Sequence, residues 1–372
     1  MDSIRRLIIV LLLLLLPSIA LNATEEQIFS VTPYGYIKLD AVYETGSSSP
    51  GNFAFWAANP GDSDGLFHAT ANQTRLGLNI SAGKVGSFTL SGKVEVDFYG
   101  GNAENKAYNY MRHAYLELKN EHWSFIAGQF WDIINPLNPS TLNYPVMWGS
   151  GNIGYRRPQL RIQHTLKAGK ALFTFQAGIF RTIAGDLDSN GIDDGIEAGM
   201  PTFQGRVAAK IPFGDGAFVQ IGFSGHSGKS SGQVDYASNS LNADLTLTFS
   251  RRLTLLGEVY TGKNMSPFLG AIIQGVNGTL QKEIESSGFY IALEAGLTSS
   301  LKLNAGFGQD APKEETLSAG NRQKNQTVFG NLIYTLNKAV STGFEICHVS
   351  TDTLLSASQK TLRFQHSWTL GF

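Results

Sequence analysis

The sequence predicts an all-β fold, a closed antiparallel transmembrane β-barrel of about 16 strands with short periplasmic turns and long extracellular loops. Three observations carry that expectation. The last stretch, 361–372, alternates strictly: Leu362, Phe364, His366, Trp368, Leu370 and Phe372 share one parity, and Thr361, Arg363, Gln365, Ser367, Thr369 and Gly371 the other. Period two with unlike faces marks a strand between two solvents. The pattern then recurs along the whole chain with no helical periodicity between repeats. Finally, connections alternate between tight turns and long loops, the latter at 45–70, 131–156, 182–201, 262–286 and 309–324.

Taken in order, the strands are expected at 34–44, 73–81, 88–98, 108–118, 123–130, 157–166, 172–180, 203–211, 217–223, 240–249, 253–261, 289–297, 301–307, 328–336, 340–348 and 361–372. In the first, Gly35, Ile37, Leu39, Ala41 and Tyr43 oppose Tyr36, Lys38 and Asp40. Tight turns follow at A-G-K-V-G, K-N-E-H, G-D-G and S-R-R. Aromatics near the strand ends (Tyr34, Tyr43, Phe98, Tyr108, Trp123, Phe180, Phe249, Phe289, Phe372) fit interfacial girdles. A closing strand against the first leaves no unpaired edge, the condition for sheet in lipid.

Composition bounds the rest. The 372 residues carry a formal net charge of −1, so nucleic acid is not an expected partner. Cys347 stands alone and cannot form an internal disulfide. At the N-terminus Arg5 and Arg6 precede an apolar run from Leu7 to Leu16, then Pro17, Ser18, Ile19 and Ala20. That is the pattern of a secretory signal peptide over 1–20, too short to span a bilayer comfortably. A short periplasmic leader, 21–32, and one barrel domain, 33–372, are expected to follow.

The polar parity carries Lys38, Arg75, Lys93, Arg157, Arg161, Arg206, Lys210 and Arg363, with Asp40, Glu95, Asp97, Glu117 and Glu258. A charge facing lipid at mid-bilayer costs about 2–4 kcal/mol, so these side chains are expected to line water. They read either as solvated wall or as a cationic ladder attracting small anions, with Arg157 and Arg161 on one strand face. Arg112 shares parity with Leu116 and Leu118 and is not expected in the lumen. The third loop, 131–156, has three prolines and includes Trp131, Asp132, Tyr144 and Trp148. Stiff and partly apolar, it is expected to fold inward and narrow the channel. A packed external loop is the other reading.

Y-G-Y-I-K-L-D-A-V-Y-E-T-G at 34–46, G-Q-F-W-D-I-I-N-P-L-N-P-S-T-L-N-Y at 128–144 and G-E-V-Y-T-G-K-N at 257–264 resemble the DcaP-like porins of Gram-negative outer membranes. The resemblance runs over essentially the whole mature chain and is most specific around 128–157. It implies a homotrimeric diffusion channel in outer-membrane lipid and lipopolysaccharide, with dicarboxylates and other small polar or anionic solutes. The chain lacks the long helical N-terminal extension of some members, which bears on how a trimer is braced. No cofactor is implied. An outer-membrane barrel hydrolase and a surface receptor or adhesin are the alternative readings.

One loop stands apart. Asp186, Asp188, Asn190, the Ile192 carbonyl, Asp194 and Glu197 follow a calcium-loop spacing, without flanking helices. A structural calcium ion and a solvated acidic turn are both open. Gly228-Lys229-Ser230-Ser231-Gly232 matches a nucleophile motif by letter but has no helix pattern after it, and reads as an external loop. No catalytic residue is expected.

Overall fold

The computed structural model describes residues 29–372 apart from 60, 62–64, 102–106, 135 and 233. The signal peptide and leader residues 21–28 lie outside the described residues. Leader residues 29–32 do not stand apart from the barrel: β1 (Phe29–Glu44) already pairs from Phe29, opposite Ala82.

Sixteen long strands close one antiparallel barrel. After β1 come β2 (Arg75–Val85), β3 (Phe88–Asp97), β4 (Tyr110–Lys119) and β5 (Trp123–Trp131). Next are β6 (Arg156–Ala168), β7 (Ala171–Phe180), β8 (Thr202–Gly214) and β9 (Ala217–Ser231). Then follow β10 (Asp235–Ser250), β11 (Leu253–Lys263), β12 (Glu285–Gly296) and β13 (Leu301–Pro312). β14 (Arg322–Thr335), β15 (Val340–Thr353) and β16 (Gln359–Gly371) complete the wall. β1 and β16 pair from Tyr36 opposite Gly371 to Glu44 opposite Arg363, so the sheet has no free edge. A short strand, Leu66–Thr70, extends the second wall position upward beside β1. Between it and β2 the ladder breaks, and Thr74 Oγ1 accepts the Lys38 N–H at 3.1 Å. The strands run from 9 to 16 residues, against the about 9–11 a tilted strand needs to cross hydrocarbon.

The physical signature is an inverted burial pattern. On β1, Ile37 and Leu39 are about half exposed, whereas Lys38 and Asp40 are 5% and 2% exposed. A water-soluble sheet would bury the first pair and solvate the second. The outer face is apolar around the whole barrel, from Leu78 and Val94 to Phe344 and Leu370. Two expected girdle aromatics face inward instead. Phe180 is fully buried, and Tyr34 donates its hydroxyl to Glu95 Oε2 at 2.7 Å.

Connections at one end are short: 86–87, 120–122, 169–170, 215–216 and 251–252. Those at the other end are mostly long, with two exceptions, one of them 354–358 between β15 and β16. β9 and β10 run on as a tall hairpin and leave only 232–234 between them. The segment 228–231, expected in a loop, is therefore strand.

Several of the long loops turn into the barrel. The first carries a hairpin of Ser47–Pro50 with Ala54–Ala58. The third loop and the loop between β11 and β12 pack together as Ile134, Ile153, Met265, Phe268, Ala271 and Ile284 against Tyr260. A second apolar cluster joins Ala54, Ala57 and Met147 to Leu256, Tyr290, Phe329, Cys347 and Val349 on the inner wall. The interior is thus polar along β1–β9 and partly dry beneath the loops on β11–β15.

Candidate functional site: a throat framed by two loops

The third loop leaves β5 at Trp131 and returns at Arg156, and its backbone is tied to acids on the opposite wall. Glu258 Oε1 accepts the Leu137 N–H at 2.8 Å, and Glu294 Oε1 accepts Ser140 N–H and Oγ–H at 3.1 and 2.6 Å. Glu345 accepts Leu142 and Asn143 N–H at 2.7 and 3.1 Å. Asp310 accepts Gly151 N–H at 3.0 Å, Ile272 N–H at 3.1 Å and the Tyr260 hydroxyl at 2.8 Å. A chain segment without its own ladder must place its N–H groups somewhere, and here carboxylates take them. The approach is close: a Cβ on Gly151 would run into the Phe289 carbonyl oxygen, and one on Gly308 into that of Ser150.

The expected long loop at 262–286 also folds inward, which sequence reasoning did not foresee. Phe268 O accepts Gly154 N–H at 2.8 Å and Leu269 O accepts Gly149 N–H at 3.0 Å, zipping the two loops together. Leu269, Ala271, Ile272 and Ile273 all have left-handed backbone, φ 61, 55, 53 and 59°. For β-branched isoleucine that conformation is strained. Hydrogen bonds from Ile272 N–H to Asp310 and from Arg322 Nε to the Ile272 carbonyl hold it.

The expected lumen cations divide into two groups. Lys38 pairs with Asp40 at 3.2 Å and donates to the Leu142 carbonyl at 3.0 Å, so it ties down the third loop. Arg75 lies 3.5 Å from Glu95. Arg157 pairs with Asp132 at 2.9 Å, donates to the Pro267 carbonyl at 2.8 Å and is 1% exposed. Its expected role on a ladder is corrected: Asp132 neutralises it, and it braces both loops. Arg206 grips Asp244 with two bonds, at 2.9 and 2.7 Å. Arg363 bonds Glu44 and Asn143 Oδ1, each at 3.0 Å, and is buried. Lys93, Arg161 and Lys210 have no ion-pair partner among the described residues. They lie over the rings of Tyr34, Phe130 and Phe218, at 4.7, 4.9 and 3.8 Å.

Two arginines outside that set also belong to the throat. Arg112 bonds Glu95 Oε1 at 2.8 Å, Asp97 Oδ2 at 2.7 Å and the Tyr144 hydroxyl at 3.1 Å. A register slip brings it inside: Glu95 opposes His113 and Val96 opposes Met111, leaving Arg112 as the extra residue. Such bulges re-aim side chains. Arg156, 2% exposed, stacks over Trp131 at 4.5 Å, with Tyr155, Tyr110 and Trp148 rings within 5.6 to 5.9 Å. Its Nε and Nη1 find no hydrogen-bond partner. The expected loop residues Trp131 and Trp148 thus form an aromatic box, ring centroids 6.0 Å apart. Asp132 seats Arg157 and Gln204, and Tyr144 reaches Asp97 at 3.1 Å.

Exposure separates the signs. Asp40, Glu44, Glu95, Asp97, Asp132, Asp244, Glu258, Asp310 and Glu345 are all buried, each with a hydrogen-bond donor. Among the inner-wall carboxylates only Glu117 and Glu294 keep partial exposure, whereas Arg75, Lys93, Arg161, Lys210 and Arg322 all do. Water in the throat therefore meets mainly cations.

At the loop end, Asp186, Asp188 and Asp194 bring one carboxylate oxygen each within 4.8 Å of one another. Asn190 is differently engaged: its amide donates to Asp188 at 3.3 Å and Glu197 at 3.0 Å. Ile192 donates its N–H to Asn190 Oδ1, and Asp193 caps the short helix Asp194–Glu197. Burial, then the charges of Asp188 and Asp186, push the Asp194 carboxyl above its ordinary range. His226 sits between Ser240 and Ser238 at 2.8 and 3.0 Å, with no carboxylate bonded to its ring.

No protein-family model matches the chain, and no curated protein matches it. Solved structures do. The outer membrane channel DcaP of Acinetobacter baumannii is 20% identical with a TM-score of 0.76, over 92% of this chain and 97% of that one. An anion-selective porin from Comamonas acidovorans is 12% identical, TM-score 0.60, over 92% of this chain and 100% of that one. A trimer form of OmpT, an outer membrane protein of Vibrio cholerae, is 13% identical, TM-score 0.57, over 92% and 99%. The chain resembles the DcaP-like porins in fold, and its architecture is that of an outer-membrane barrel.

Proposed function

We propose that the protein is an outer-membrane diffusion channel for small hydrophilic solutes, preferring anions, with dicarboxylates among them. The observation that carries the preference is the unequal exposure of charge in the throat: carboxylates are spent holding the loops, and cations face the water. Attraction then raises anion concentration in a confined, low-dielectric passage. Arg156 adds an uncompensated charge behind the aromatic box. The resemblance to trimeric barrels, and the anion selectivity of one similar structure, support the same reading and a homotrimer in lipid and lipopolysaccharide. A calcium ion held by Asp186, Asp188 and Asp194 belongs to this reading as an ordering element for an external loop. Chelation with EGTA would then speed protease cleavage at 186–197, and equal cleavage with and without EGTA would remove it.

Reconstitution in planar bilayers under a KCl gradient tests the main proposal. Stepwise openings with a reversal potential displaced toward chloride are expected. Repeated silence would leave a receptor or hydrolase barrel, and a cation-directed potential would reverse the preference.

A further inference from the structure

A pocket of about 440 Å³ opens at the loop end of the barrel, bounded by Trp56 of the first-loop hairpin, Arg322, Thr353, Ser356 and Gln359. Arg322 reaches it by a slip in register. It opposes Thr353, the next pair is Lys324 with Asp352, and Gln323 is the extra residue. Without the slip Arg322 would share the outward side of Lys324, whose ammonium pairs with Asp352 at 2.9 Å. Instead its guanidinium lies over the Trp56 ring at 4.0 Å, and Nε donates to the Ile272 carbonyl at 3.1 Å. No carboxylate lies within ion-pair distance of it among the described residues. Stacking occupies the face of a guanidinium and leaves its in-plane N–H edge for a planar anion. Phe55 stacks beside Trp56 at 5.9 Å, with an interplanar angle of 18°, and keeps the indole in place. Thr353, Ser356 and Gln359 line the same pocket, none of them hydrogen-bonded to the arginine side chain.

We propose that this pocket is a docking site for a small carboxylate bearing hydroxyl groups, held end-on by Arg322 and along its chain by the hydroxyl and amide groups. It deepens the channel reading, on which it rests for its place on the solute's route, by putting a binding step ahead of the throat. A lone cation in a half-enclosed site is stabilised by the indole face and completed by the carboxylate.

Titration calorimetry of the full-length protein in detergent tests it, with sodium gluconate as probe and sorbitol as its uncharged counterpart. Gluconate is expected to saturate and sorbitol not to. Arg322→Gln is expected to weaken gluconate by about tenfold or more, while resistance of the barrel to SDS stays at the wild-type level, which reports correct folding. Arg322→Lys, which keeps the charge without the planar fork, is expected to fall between. Ser356→Ala serves if the arginine variants do not assemble, and should weaken gluconate several-fold. The site is overturned by absence of saturation on conducting wild-type protein, or by unchanged affinity in variants of wild-type SDS resistance. Saturable binding to a protein silent in bilayers would retain the pocket and refute the channel.

Discussion

Replacing Glu345 by Gln tests whether the wall acids are what keep the third loop across the throat. The carboxylate accepts the N–H groups of Leu142 and Asn143 at 2.7 and 3.1 Å and the Asn331 amide at 2.9 Å. Gln is isosteric, but one oxygen becomes an amino group that must face an N–H, and the other loses its charge. Charge-assisted hydrogen bonds contribute about 1.5–3 kcal/mol each. One lost and others weakened give about 2–4 kcal/mol, or about 30- to 1,000-fold in the balance between held and released loop tip. The interstrand ladder of β15 is untouched, so resistance of the barrel to SDS should hardly change. In bilayers the variant is expected to show larger or two-level openings and more open-channel noise. A single level with wild-type conductance and noise would mean that Glu345 does not restrain the loop, and the reasoning about the wall acids would fail with it.

Three further outcomes follow from the same geometry. Arg161→Ser should move the reversal potential toward the cation side at unchanged conductance, whereas Arg157→Ser should leave Asp132 buried without its partner and produce noisy openings; identical effects would merge roles the structure separates. Arg112→Ala strands Glu95 and Asp97, with an expected loss of about 3–5 kcal/mol, read as a lowered urea midpoint and weakened anion selectivity; unaltered selectivity would count against a field at this level. Gly151→Ala should lift the loop from β12 at a cost of about 1–3 kcal/mol of overpacking, raising protease cleavage within 132–155, and resistance equal to wild type would show that the backbone yields there.

Strand placement was readable because lipid enforces alternation. At β1, each step from Ile37 to Asp40 changes solvent, and no side chain can be misassigned without crossing that boundary. Where the wall rises above the membrane the constraint disappears. In 224–239 serine and glycine fall on both parities and no apolar alternation shows, so the pattern cuts β9 and β10 short and makes their connection too long. The third loop was legible from its own composition, since tryptophans and prolines between strands call for cover. The loop from β11 to β12 is not legible, because Met265, Phe268 and Ile272 fall at a helix-like spacing, whereas the chain there makes two short 3-10 turns with left-handed residues among them. Pairing was out of reach as well. Sequence parity puts Arg157 and Arg161 on one face, but only the returning loop brings Asp132 to Arg157 and leaves Arg161 over Phe130.

The deeper failure is informative. Parity reading assumes that a strand never slips; besides slips near the short turns at 81–84, 212–214 and 248–250, the chain slips at Arg112 and beside Arg322. At these last two the slip turns inward an arginine that strict alternation would send to lipid or to the outer rim. A bulge gives up ladder bonds and regular pairing. Two slips that both place an arginine inside, one bonded to Glu95 and Asp97 in the throat and one stacked on Trp56 in the mouth, put guanidinium groups at successive levels of the same passage. Regular alternation at these positions would have left both levels without their arginines, so these two irregularities in the wall are part of how the barrel's interior is charged.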